Sequence, residues 1–502
     1  MSTALLQRAA AREVIVDARR RALAAAMLLA ALVALAAALA GGDVRSTRGG
    51  QAAVDEPQYL LTAMSLWHDG DLDISDELAS EAWREFHQSA LPQQTEPLAD
   101  GRALSPHDPL LPLLLAAPVG LFGLAGAKAA LALVAALAAA LTVWTAVRRL
   151  AVPPVLAGIG VAVAFASPPL AVYGQQVYPE LPAALAALAG VAALTGPLRR
   201  GGLVTLGVAV TALPWLGVKY APVALALALV ALWRLRHNAS RVGGFAAALA
   251  VSGAAYLVVH RLVWGGWTVY ATGDHFTSTG ELSVVGVAPD YLGRSMRVVA
   301  LLVDRGFGLA SWAPAWLLIV PALGAAVASR NALRRNASFV LPLFAGWATA
   351  TWVALTMHGF WFPGRQVVVV LPIAVLLILS WLAAGSARLR AAAAAAGAVG
   401  VATYAALVVS GSAGRSTWVS GRELVTEAPS SWLRVLLPDY RVLSAAGWHP
   451  GQLAGHVAWS LVLAVVLLIS IRRTRSRTAY LDPPTSTADR SRTADQPLKE
   501  LS

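Results

Sequence analysis

Twelve apolar runs, each near the length of a bilayer crossing, punctuate this 502-residue sequence: 22–40, 126–147, 154–171, 178–195, 201–214, 220–233, 242–263, 308–329, 337–356, 366–384, 391–410 and 453–472. A spanning helix needs about 20 mostly apolar residues. In hydrocarbon every backbone polar group must be satisfied within the segment, so such runs fold as helices. The sequence therefore predicts an all-α polytopic membrane protein of about 12 transmembrane helices. Composition supports the reading: 57% of residues are hydrophobic and 13% charged, against about 45–50% and about 25% in soluble domains. A soluble enzyme, a disordered protein and a coiled coil are excluded. With no cysteine in the chain, a disulfide, a thiolate zinc site and a catalytic thiol are excluded too.

Charge sets the orientation. Arg8, Arg12, Arg19, Arg20 and Arg21 precede the first run, and the positive-inside rule places them in the cytoplasm. Alternate ends then fall at Arg148–Arg149, Arg199–Arg200, Arg234 to Arg241, Arg330 to Arg335, Arg388–Arg390 and the tail from Arg472, all basic. On this path the inside carries net +18 and the outside net −6, which together make the +12 of the chain. The basic balance is thus a topology signal and does not call for nucleic acid. The path requires the short run 109–122, with Pro109, Pro112 and Pro118, to be an interfacial or re-entrant helix. Runs 201–214 and 220–233 read either as two short spans or as one re-entrant pair. The expected organisation is a cytoplasmic N-terminus over 1–21 and a membrane domain over 22–472. Its outer loops are 43–108, 264–307 and 411–452, and the tail 473–502 reads as disordered and cytoplasmic.

The unusual charges gather at the outer ends of the spans. Mid-membrane ionisable groups, expected of a transporter, are scarce. Asp55-Glu56-Pro57 opens a helix over 57–67, where either carboxylate serves equally well as a cap. Asp69, Asp71 and Asp73 have the spacing of a calcium loop, but Ile74 and Ser80 stand where such a loop needs Gly and Glu, so the segment reads as an acidic turn. His107 and Asp108 precede the interfacial helix and again suit capping. Lys128 at a span end suits snorkelling to headgroups. Glu180, after Tyr178-Pro179, suits the positive end of its helix. Lys219 sits between two short runs. Asp304 lies before a Gly-Leu pair, and His358 and Arg365 flank an aromatic turn that suits an interfacial belt. For Arg365 the bland alternative is a lipid-headgroup contact.

Taken in order, several of these segments resemble the GT-C glycosyltransferases, among them the protein O-mannosyltransferases and the lipid A aminoarabinose transferase. The residues that carry the resemblance are Asp55-Glu56 after the first span, Gly70-Asp71-Leu72-Asp73, His107-Asp108-Pro109-Leu110, Tyr178-Pro179-Glu180, the stretch Asp304…Gly308-Leu309…Pro314, and Gly364-Arg365. The match covers roughly residues 20–385 of this chain. It departs at His-Asp-Pro, where the family has His-Pro-Pro, and at Lys128, where the family has an outer Arg.

The resemblance implies a glycosyltransferase of the cell membrane that moves a sugar from a polyprenyl-phosphate donor to a cell-envelope glycan, lipid or protein acceptor. Its active site would be extracytoplasmic and its step inverting. Asp55 and Glu56 would be catalytic, with Asp55 the base and Glu56 an orienting or acceptor-binding group. Arg365, Lys219 and Lys128 would converge on the donor phosphate. His107, Asp108, Tyr178, Glu180, Asp304 and His358 are substrate-binding candidates. No metal ligand set is assigned; the reading needs no cofactor and is compatible with a divalent cation. A membrane transporter or lipid flippase, or a non-catalytic member of the same fold, is the alternative.

Overall fold

The computed structural model describes residues 3–92, 94, 97–269, 289–419, 428–441 and 450–481. In chain order its α-helices are α1 (Thr3–Ala40), α2 (Glu56–His68), α3 (Ser75–Ala79), α4 (Leu110–Leu150), α5 (Pro154–Phe165), α6 (Leu170–Tyr173), α7 (Glu180–Leu194), α8 (Arg200–Leu216), α9 (Ala221–Leu235) and α10 (Ala239–Val263). They continue as α11 (Tyr291–Arg294), α12 (Arg297–Val303), α13 (Ile319–Ala326), α14 (Arg330–Ala348), α15 (Leu371–Ala383), α16 (Ala387–Ser412), α17 (Ser431–Arg434) and α18 (Pro450–Leu481). The described residues hold no named strand, only isolated bridges such as Asp73 to Leu104. The fold is all-α, as expected. Seven of the described helical segments are long and apolar enough to cross a membrane: Asp17–Ala40, Leu110–Leu150, Val218–Leu235, Ala239–Val263, Arg365–Ala383, Ala387–Ser412 and Pro450–Ser476. Shorter apolar helices lie at Pro154–Phe165, Glu180–Leu194, Arg200–Leu216 and Pro314–Ala326.

The centre of the bundle is α7 with α15. Ala and Gly dominate α7, so neighbouring backbones approach it closely, and most of its residues are buried. α15 is a Leu, Ile and Val helix buried nearly all round. α10 and α18 lie at the periphery with wide apolar faces outward: Leu262, Val251, Leu461 and Val465 are exposed.

Several elements differ from expectation. The runs 109–122 and 126–147 form two helical segments joined directly at a kink, Gly123, whose φ of 57° and ψ of −146° are non-helical. Before the bend, Leu113, Leu114, Leu121 and Phe122 are exposed, the pattern of a segment lying against lipid. The run 154–171 does not stay helical: α5 stops at Phe165, before Ser167-Pro168-Pro169. The run 308–329 is not one helix either. It opens as two 3-10 turns, Leu309–Ser311 and Pro314–Leu318, before α13. Its backbone is held by side chains instead of a helical ladder: the Trp312 indole donates to Gly306 O and the Trp316 indole to Pro168 O. α14 begins ahead of its apolar run, at Arg330, and gives way to a π turn at Thr349–Val353. The region 201–233 is two helices, α8 and α9, joined through a 3-10 turn at Val218–Tyr220. Of the tail expected to be disordered, 473–481 continues α18 and 482–502 lies outside the described residues. Parts of loops 264–307 and 411–452 lie outside them as well.

Basic turns meet at one end of the bundle. Arg234 donates to Gly196 O and Arg241 to Leu198 O, and an added Cβ on Gly196 would strike the Arg149 guanidinium. The loop 41–108, with α2 and α3, covers the opposite end.

Candidate functional site

At the loop end four charged side chains form one connected chain. Arg365 is its hub. The residue opens a 3-10 turn, Arg365–Val370, and Gly364 before it takes φ +86°, a left-handed conformation that glycine adopts freely. The Arg365 side chain is 7% exposed. Its Nη2 donates to Asp55 Oδ2 at 2.7 Å and its Nε to Glu180 Oε1 at 2.8 Å. The guanidinium also lies 4.1 Å from the Tyr178 ring centroid and 5.1 Å from that of Trp361. Lys219, on the turn between α8 and α9, donates from Nζ to the same Glu180 Oε1 at 2.7 Å. Glu180 thus stands in the first turn of α7 and holds two cations. Lys219 is the most open member, 22% exposed. Two carboxylates and two cations make the chain neutral as a whole.

The local helix chemistry decides between capping and other work for the acids. Asp55 occupies the N-cap position of α2 but makes no capping hydrogen bond; its carboxylate reaches Arg365 instead. Burial disfavours its charge, but Arg365, with His107 and Lys219 nearby, outweighs burial and holds the Asp55 carboxyl below its usual value. Glu56 is wholly engaged. Ser46 Oγ and Ala53 N donate to its Oε2, and Val177 N donates to its Oε1. It ties the loop before α2 to the turn before α7 and is 1% exposed. Burial pushes its carboxyl upward against these donors. Of the two roles expected of Glu56, orienting or acceptor-binding, a carboxylate so enclosed suits the first, since it holds backbone from two loops.

The three cations expected to converge do so only as a pair. Lys128 is buried on α4, donates to Gly42 O and lies on the Glu56 side of the site. The reason is local: Gly42 follows the last turn of α1, whose terminal carbonyls need donors. Gly364 itself packs closely: a Cβ there would meet Leu309 and Pro169, each at 2.9 Å.

The remaining candidates fall into two groups. Asp108 is not a cap; Pro109 holds that position on α4. Its Oδ2 accepts from Val218 N at 2.9 Å, and its Oδ1 accepts from Tyr256 Oη at 2.8 Å and lies 3.1 Å from His260 Nε2. Asp108 therefore fixes the turn that presents Lys219. His107 stacks on Tyr59 with ring centroids 4.4 Å apart. Tyr256 and His260 were not singled out from sequence. Their signal is a polar pair four residues apart in the largely apolar second half of α10, facing Trp215 and Trp264. Asp304 and His358 meet elsewhere: Asp304 Oδ1 accepts from Gly306 N and Phe307 N, and its Oδ2 accepts from Tyr440 N and lies 3.5 Å from His358 Nε2. His358 and Tyr440 border a polar cavity of about 380 Å³ that Arg294, Arg297 and Met357 also line.

No protein-family model matches the sequence, and comparison with curated proteins finds no match. Among solved structures, the chain is similar to the crystal structure of ArnT from Cupriavidus metallidurans bound to undecaprenyl phosphate. Identity is 16% and the TM-score 0.48, over 90% of this chain and 78% of that one. It is similar also to the apo state of the same protein, with 18% identity and a TM-score of 0.47, over 90% of this chain and 74% of that one.

Proposed function

We propose that this protein is a GT-C-type glycosyltransferase of the cell membrane. It moves a sugar from a polyprenyl-phosphate donor to a cell-envelope acceptor at the extracytoplasmic face. The observation that carries the reading is the buried chain Asp55–Arg365–Glu180–Lys219 at the loop end of an apolar bundle. It offers what the reaction needs in one place: a base, cations for a phosphate, and lipid-facing helices beside them. The acceptor hydroxyl gives its proton to Asp55 as its oxygen bonds the anomeric carbon. The bond from that carbon to the phosphate oxygen breaks, and the electron pair leaves with the polyprenyl phosphate. Arg365 and Lys219 stabilise that leaving phosphate, the guanidinium through paired hydrogen bonds and the ammonium as a point charge. Glu180 keeps both cations in position, and Glu56 with Lys128 positions the Asp55 segment. Displacement in a single step inverts the anomeric centre.

The test joins glycan analysis of a deletion strain with transfer by the purified protein. Strains complemented with the wild-type chain or with Asp55→Asn are compared, and turnover is normalised to correctly inserted protein. General-base assistance contributes roughly 10²–10⁴-fold, so Asp55→Asn is expected to insert normally, bind the donor lipid and transfer at least about a hundredfold more slowly. A variant with near-normal turnover removes Asp55 from the mechanism. Unchanged envelope glycans in the deletion strain, together with uptake or flipping of a lipid by the purified protein, would favour the transporter reading.

A further inference from the structure

A second cluster of carboxylates lies on the loop, outside the chain of charges just described. Asp69 ends α2, and Asp76 and Glu77 open α3. One oxygen from each of the three lies within 4.8 Å of the others. Asp71 and Asp73, whose spacing suggested a calcium loop, are not part of it. Asp71 Oδ1 accepts from Ser65 Oγ and Asp73 N, and Asp73 Oδ1 accepts from Ser75 N and Ala103 N. Those two acids build the turn, and the turn carries Asp69 across to α3.

Glu77 separates this group from an ordinary acidic surface. Asp69 and Asp76 are exposed, but Glu77 is only 5% exposed. Its Oε2 is enclosed and accepts no hydrogen bond. Among the described residues no lysine or arginine pairs with any of the three. An enclosed acceptor facing two further carboxylates asks for a positive centre between them.

We propose that Asp69, Asp76 and Glu77 bind one calcium ion, which links the end of α2 to the start of α3. The donors are all carboxylate oxygens, the chemistry of a hard cation. Opposite oxygens on calcium stand about 4.6–5.2 Å apart, twice its bond length of about 2.3–2.6 Å. The oxygens of this cluster lie inside that reach. Magnesium dehydrates reluctantly and is usually held by one or two carboxylates, so a set of three carboxylates suits calcium better. Calcium takes about six to eight oxygen ligands, and water completes them on the open side, where Asp69 and Asp76 face solvent. The clamp holds the C-terminal end of the helix whose other end carries Asp55 and Glu56.

The test uses the full chain, purified in detergent and stripped with EGTA. Calcium chloride is titrated by calorimetry and by thermal unfolding, with magnesium chloride in parallel. The expected result is one calcium per chain, with a dissociation constant of about 10⁻⁴–10⁻³ M as for extracellular modules, and a raised unfolding midpoint. Glu77→Gln and Asp69→Asn should each weaken binding at least about tenfold, as one lost carboxylate ligand implies. Asp69 is exposed, so its variant carries the test alone if Glu77→Gln fails to fold. No binding by the wild-type chain overturns the proposal and leaves Glu77 sharing a proton with Asp76. Undiminished binding in Asp69→Asn overturns it as well, since the ion then sits elsewhere, and magnesium binding as tightly as calcium overturns the choice of ion. The readout is binding alone, so its failure leaves the transferase reading standing, and failure of that reading leaves the calcium result intact.

Discussion

Arg365 is the residue on which most of the site depends. It donates to Asp55, 310 positions away, and to Glu180, 185 positions away. Removing its charge strands Asp55 and leaves Glu180 to Lys219 alone, and breaking a buried pair in that way costs about 3–5 kcal/mol. Arg365→Ala therefore reports on folding before it reports on phosphate. Arg365→Lys is the sharper variant, because a single ammonium keeps the charge but lacks the planar fork that reaches both partners. The expected effect falls on Asp55. In the wild type its carboxyl is held below the usual value of 3.8. The stability this pairing contributes is present above that ordinary value and is lost as pH falls through the lowered one. Transfer should therefore show no acid limb from Asp55 between pH 7 and the ordinary carboxylate range. In Arg365→Lys the limb should move upward and the rate fall; a pH profile of transfer by both proteins measures it. An unmoved limb would separate Asp55 from the rate-determining proton transfer. Single residues of this set were legible in the sequence because a charge at the end of an apolar run stands out. Their partners were not, since nothing local links position 55 to 365. The partners of Glu56 were hidden for the same reason: Ser46 and Val177 reach it from two different loops.

At the scale of elements, the turn Phe362–Val370 carries the site. Gly364 adopts φ +86°, and a Cβ there would press on Leu309 and Pro169. Gly364→Ala should thus suffer twice, from a left-handed backbone costing about 1–3 kcal/mol and from a clash that moves Arg365. The expected outcome is a lowered unfolding midpoint together with reduced transfer, measured on purified protein. Normal stability with normal transfer would show that the turn yields without moving Arg365. The places of the helices were readable because a run of Leu, Ala and Val in lipid has few other ways to satisfy its backbone. The breaks were less readable. In 308–329 the Trp312 indole binds the nearby Gly306 carbonyl and the Trp316 indole the distant Pro168 carbonyl, and irregular backbone is tolerated at membrane depth where protein buries it. Helix propensity holds no record of such partners. The boundary expected between the runs 109–122 and 126–147 is the kink at Gly123, where the backbone is non-helical and a second helical segment follows at once.

For the whole molecule the open prediction is its orientation. Arg149, Arg234 and Arg241 gather at the turn 196–199, while Asp55, Asp108, Glu180, Lys219 and Arg365 gather at the opposite end. Cytoplasmic ends retain arginine and lysine, so the basic end is expected inside and the candidate site outside. The bend in α4 is what keeps these ends apart. If the segment before Gly123 made a crossing of its own, every later basic turn would change sides, and Arg149 would share a face with Asp55. The chain contains no cysteine, so a single introduced thiol is the only one present and reports its own side without background. Asp100 is exposed in the first loop and His237 in the turn between α9 and α10. Asp100→Cys should react with a membrane-impermeant maleimide on intact cells, or on spheroplasts where an outer barrier intervenes. His237→Cys should react only after the membrane is opened. Equal labelling of both positions from outside would place the basic turns and the carboxylates on one face, and it would remove the proposed active site from the compartment where a translocated lipid-linked sugar is presented.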